Sequence, residues 1–146
     1  MNPLNDKLRQ ITLEAFESLC RLFPLMEEEE RKGLPLAGAV SVDFSGPIAG
    51  TFSIWFFGRL PQVMAESMLG GMPSSYQTED AMKEMANVIC GNILPYIAGP
   101  ELVLKLDAPR LEPSSGESDL PKTATTEIRI PFPGGSARLA VFLKTL

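Results

Sequence analysis

The chain has 146 residues, 45% of them hydrophobic and 21% charged, with a formal net charge of −5 and no histidine. That length fits one domain whose core needs neither disulfide nor metal, and basic residues this scattered exclude the patch that nucleic acid or an anionic membrane requires. The absence of imidazole, of GxxxxGK[ST] and of GxGxxG removes His-based acid–base sites, Ser/His/Asp and Cys/His nucleophiles, His-zinc motifs and phosphate loops.

Cys20 and Cys90 stand far apart, form no CxxC, and read as two half-buried thiols of a reduced chain. The first seven residues lack the basic and apolar regions of a signal peptide. The longest near-apolar run, Ile48 to Phe57, is broken by Gly50, Thr51 and Ser53 and falls short of the ~20 residues a membrane span needs. A soluble cytoplasmic protein is expected.

In chain order, Leu4, Leu8, Ile11, Ala15, Leu19, Leu22 and Met26 recur at steps of three and four, predicting a helix from Pro3 to about Met26. Asn2-Pro3 is its start signal, and Glu27 to Glu30 reads as its solvated end. Val40, Val42 and Phe44 then alternate with polar residues. After Ser45-Gly46-Pro47 the alternation resumes through Phe52, Ile54 and Phe56, which predicts an antiparallel hairpin. Trp55 on its second strand suits a packed sheet residue, a dimer contact or a ligand platform.

Leu60 to Leu69 is predicted as a short helix, with Pro61 in its first turn and Gly70-Gly71 ending it. A longer helix follows from about Thr78, its expected N-cap, to Ile97, burying Met82, Met85, Ala86, Ile89 and Ile93. Glu79 and Lys83 are placed to pair on it. Leu104 to Leu111 is a strand weakened by Pro109, Pro113 to Thr125 a polar loop, and two strands flank Pro133-Gly134-Gly135. The order αββααβββ implies one α+β domain over residues 1–146, an antiparallel sheet with helices on one face.

Asp80, Glu84, Asn87 and Gly91 lie at steps of four, three and four, so they share one side of the long helix, opposite its methionines. Three of these choices weaken a helix. Asp80 and Glu84 repel by a few tenths of a kcal/mol, Asn87 is a poor helix former, and Gly91 costs ~1 kcal/mol relative to alanine. A helix weakened repeatedly on one face marks a candidate functional surface, although a merely solvated face or a close helix contact at Gly91 also suits the pattern.

The stretch Asp80-Ala81-Met82-Lys83-Glu84-Met85-Ala86-Asn87-Val88-Ile89-Cys90-Gly91-Asn92 resembles the D/S-x-x-x-E-x-x-N helix signature, with its following glycine, of the CheC/CheX/FliY chemotaxis phosphatases. Met68-Leu69-Gly70-Gly71-Met72 is similar to the end of their preceding helix, and the hairpin from Gly46 to Phe56 fits as well. A single copy of the motif resembles CheX more than CheC.

The resemblance implies a phosphatase acting on the phospho-aspartate of a CheY-like receiver. Glu84 would pair with the receiver's lysine, Asn87 would orient the attacking water, and Asp80 and Gly91 would shape the docked surface. Mg²⁺ would come with the receiver, leaving this chain with no cofactor or metal site of its own. It also implies a homodimer through the sheet edge, while the charge pattern argues against a nucleic-acid or membrane partner. A non-catalytic receiver-binding module is the alternative. A Mg²⁺ or Ca²⁺ site at Asp80, Glu84 and Asn87 is disfavoured, because three ligands on one helix face are too few for a calcium cage.

Overall fold

A computed structural model describes residues 2–26, 33–113 and 123–144. Three helices, α1 (Pro3–Cys20), α2 (Leu60–Leu69) and α3 (Ser75–Ala98), pack on one face of an antiparallel sheet. Its strands are β1 (Leu36–Ser45), β2 (Gly50–Gly58), β3 (Lys105–Leu106), β4 (Arg110–Glu112), β5 (Thr126–Phe132) and β6 (Gly135–Leu143). The lateral order is β3-β1-β2-β6-β5, with β4 also pairing to β1.

The α+β class, the hairpins and the span of α2 agree with the sequence reading, and three features do not. Helix α1 ends at Cys20, six residues before Met26, because Arg21 turns left-handed (φ 54°), its N–H donating to the Glu17 carbonyl and that of Leu22 to the Phe16 carbonyl. Pro24, three residues on, could not donate within a continuing helix. The acidic run Glu27–Glu30 lies outside the described residues, as does most of the loop from Pro113 to Thr125.

Helix α3 starts at Ser75, not Thr78. Ser74 is the N-cap, its hydroxyl accepting from Gln77 N at 3.1 Å while the Gln77 side chain accepts from Ser74 N at 2.9 Å. This reciprocal box satisfies two otherwise orphan donors, and Thr78 merely bonds back to the Ser74 carbonyl. Finally, the strand expected over Leu104–Leu111 is two pieces. Leu106 pairs with Phe44 and Arg110 with Ser41, and the chain leaves the ladder between them, where Pro109 offers no N–H.

The core between helices and sheet holds Phe52, Ile54, Phe56, Leu139 and Val141 against Phe16, Met64, Met85, Ile89 and Ile93. Gly38 brings α3 close to the sheet: a Cβ there would sit 2.9 Å from the Met82 sulfur. On the opposite face Trp55 is a packed sheet residue, 1% exposed. Phe142 meets it edge-on at 6.4 Å and the Arg138 guanidinium covers its ring at 4.5 Å, itself held by donating two bonds to the Glu127 carboxylate.

The β5 edge is largely occupied by its own chain. Asn5 accepts from Glu127 N, Asn2 donates to the Thr125 carbonyl, and Leu25 N donates to the Pro131 carbonyl. The other edge consists of the two- and three-residue strands β3 and β4. Short or self-capped edges of this kind resist strand addition.

Cys20 and Cys90 are fully buried rather than half-buried, and burial pushes their thiols up to about 11 and about 12. Both folded values lie above the ordinary 9.0, so the unfolded chain loses these protons first. Native protein at pH 8 is therefore expected to react with a thiol reagent only as fast as it unfolds, with both thiols labelled at once in denaturant. Stability contributed by the neutral thiols is fully present below pH 9 and is lost as pH climbs towards 11 and 12, which alkaline unfolding curves of Cys→Ala variants check.

Candidate functional site

Helix α3 lies across the sheet between α1 and α2, also touching β1, β2 and β4. Its buried residues are Ala81, Met82, Met85, Ala86, Ile89, Cys90, Ile93 and Leu94, which include all five expected from the sequence. With that stripe fixed in the core, the 3.6-residue period turns Asp80, Glu84, Asn87 and Gly91 outward, and all four are exposed. Among the described residues, none of the Asp80, Glu84 or Asn87 side chains joins a hydrogen bond or ion pair. Their donors and acceptors face solvent unspent.

An open groove of about 510 Å³ runs along this face. Asp80, Lys83, Glu84 and Asn87 form its floor, Met68 and Leu69 of α2 one wall, and Pro109 the other. The groove residues Met68, Leu69, Lys83 and Pro109 were not among the site residues expected from the sequence. Pro109 reaches the site because β3 and β4 hang on β1 beside α3, a tertiary relation that no local pattern encodes. The strap is fastened on its far side by Arg110, which bonds Asp43 at 2.7 Å and Glu112 at 3.0 Å. Burial pushes the Asp43 carboxyl up, but bonds from Thr51 and Arg110 and the guanidinium charge outweigh this and hold it below the usual range.

Lys83 does not form the expected pair with Glu79. The ion pairs among the described residues are those of Arg110 and Arg138, and Lys83 instead lines the groove. Nor is Gly91 a point of close helix packing, since a Cβ there would meet nothing within 4 Å. Pro95 lies one turn beyond it, inside the helix, and cannot donate to the Gly91 carbonyl. Among the described residues no group of three or more His, Cys, Asp or Glu side chains could hold a metal ion, and no helix is long and apolar enough to cross a membrane.

The family model described as chemotaxis phosphatase CheX matches residues 39–133, more than half of the chain and the whole of α3. The chain belongs to the CheX family. No curated protein sequence matches it. Among solved structures, CheX from Vibrio vulnificus superposes with a TM-score of 0.73 at 16% identity, covering 97% of each chain. The Borrelia burgdorferi complex of CheX with CheY, BeF3 and Mg²⁺ gives 0.69 at 12% identity, over 99% of this chain and 100% of that one. FliY from Thermotoga maritima gives 0.58 at 16%, over 97% and 91%. At these identities the structures establish a shared CheX-family fold.

Open space and a helical backbone at Gly91 make its cost removable. Gly91→Ala is expected to stabilise the protein by about 0.4–1 kcal/mol, raising the melting temperature by about 1–4 °C in calorimetry. An unchanged or lower melting temperature would show that Gly91 answers a packing need after all.

Proposed function

We propose that the groove on α3 docks a phosphorylated CheY-like receiver domain in the cytoplasm and accelerates loss of phosphate from its aspartate. The observation that carries this reading is the exposure of Glu84 and Asn87 on one face of a helix whose opposite face is buried, in a chain of the CheX family. The Borrelia CheX is seen together with CheY, BeF3 and Mg²⁺, and those components are the ones this surface would meet.

The residue types suit the work. Phosphoryl transfer is catalysed chiefly by positioning and charge stabilisation, so a protein without nucleophile or imidazole can still supply what is missing. Glu84 offers a carboxylate to the receiver's active-site lysine and fixes the angle of approach. Asn87, one turn further, is neutral and so approaches an anionic phosphoryl group without repulsion. Its amide both donates and accepts, which suffices to hold a water in line with the phosphorus. Asp80 and Gly91 border the contact, Gly91 leaving room for a partner backbone. The phospho-aspartate and its Mg²⁺ belong to the receiver.

A phosphate-release assay on phosphorylated receivers from the same organism tests the reading. Asn87→Ala is expected to lower the accelerated rate by about 10²-fold or more, the scale of losing one positioned polar group at a transition state. Glu84→Lys sets like charges together and is expected to weaken the complex, seen as a higher receiver concentration for half-maximal rate. Wild-type protein that leaves every receiver's phosphorylated lifetime unchanged rejects the phosphatase reading. Binding without faster phosphate loss leaves a docking module.

A further inference from the structure

The polar floor of the groove meets an apolar edge. Leu69, which lines the groove, is 51% exposed, and Met72, three residues on in the turn to α3, is 90% exposed. Two large apolar side chains left open within three residues of each other, at the rim of a groove, point to an interaction surface. The fold does not require them there. Gly70, left-handed at φ 76°, closes α2 by donating to Glu66, and the Ser74–Gln77 box opens α3, so the turn is shaped by its glycine and caps. Held at both ends, the turn carries Leu69, which lines the groove with Gln77 and Asp80, and Met72 just past it in the chain.

The polar residues alone make a poor anchor. An exposed ion pair such as Glu84 would form contributes less than about tenfold to affinity, and Asn87 is committed to a water. Interfaces draw most of their affinity from a few side chains that become fully buried, and burying one leucine or methionine is worth roughly ten- to a hundredfold. Resting on the phosphatase reading, we infer that Leu69 and Met72 are the apolar anchor of the receiver-docking surface and seat against an apolar patch beside the receiver's phosphorylation site. The receiver is the occupant because this edge is continuous with the face that reads its phosphoryl group. Methionine, unbranched and polarisable, adapts to small differences between partner surfaces, which makes position 72 a determinant of which receiver is accepted.

The anchor lies away from the reacting atoms and binds ground and transition state alike. Its loss therefore raises KM and leaves kcat in place, opposite to the loss of Asn87. The test measures binding of a receiver loaded with beryllofluoride and Mg²⁺, by titration calorimetry, to wild type, Met72→Ser, Leu69→Ser/Met72→Ser, Asn87→Ala and Tyr96→Ser. Tyr96 is a comparably open aromatic, 57% exposed, that faces Lys7 of α1 instead of the groove. Kd is expected to rise tenfold or more in the double variant and several-fold in Met72→Ser, which lies outside any helix and keeps the wild-type melting temperature. Asn87→Ala and Tyr96→Ser are expected to stay within threefold. Binding of both serine variants within twofold of wild type overturns the inference, as does a wild-type chain that binds no receiver. Should Asn87→Ala keep the full dephosphorylation rate, the catalytic reading falls by itself, and the calorimetric comparison still decides the anchor.

Discussion

The buried stripe of α3 governs the molecule. Met85, Ala86, Ile89, Cys90 and Ile93 have no exposed surface, and Met82 rests directly on Gly38 of β1. A helix has one degree of rotational freedom about its axis, and this stripe removes it. Asp80, Glu84 and Asn87 cannot turn away from solvent without drawing five core side chains out of a close-packed interior, among them Met85, Ile89 and Ile93, residue types whose truncation to alanine costs about 2–5 kcal/mol. The polar face is thus aimed by residues that never touch a partner. Its own polar pairs could not aim it, because among the described residues they make no bonds to one another.

That arrangement suits a protein that contributes only part of a reaction site. A self-contained hydrolase must bury and tune its acids and bases. A chain that presents a carboxylate and an amide on a rigid rod needs no imidazole, and the sequence has no histidine. The helix accepts like charges at Asp80 and Glu84 and a glycine at position 91 for the sake of an open surface. The stability lost there is regained at the helix start, where the cap closes two backbone donors, and along the buried face.

Patterns with a period of two or 3.6 were legible: both long hairpins, the limits of α2 and every expected buried residue of α3 stand where alternation and helical spacing put them. Ends were harder, because several signals compete within a few residues. Thr78 looked like a cap, yet Ser74-Ser75-Tyr76-Gln77 holds the complete S-x-x-Q box and wins by two bonds to one. The apolar spacing of α1 continued to Met26 although Pro24 forbade a helix through it. Helix α3, by contrast, runs past Pro95, since a proline so close to the C-terminus forfeits one bond and sits on the exposed side. The motif face could be read locally, but the groove could not. Its walls come from α2 and from the strap around Pro109, and only the folded sheet brings them to α3.

The two walls of that groove are fastened with unequal strength. On the α2 side the backbone belongs to a ten-residue helix with Leu60, Met64 and Ala65 in the core. The Pro109 side is held by five paired residues, a backbone bond from Asp107 N to the Asp43 carbonyl, the half-exposed Arg110–Asp43 contact and the partly buried Leu106 and Leu111. Segments with so few buried contacts open far more readily than the body of a domain. The lining of the groove is therefore uneven in its resistance to local opening: α2 and α3 open only with the core, whereas the strand pair carrying Pro109 can loosen while the core stays closed.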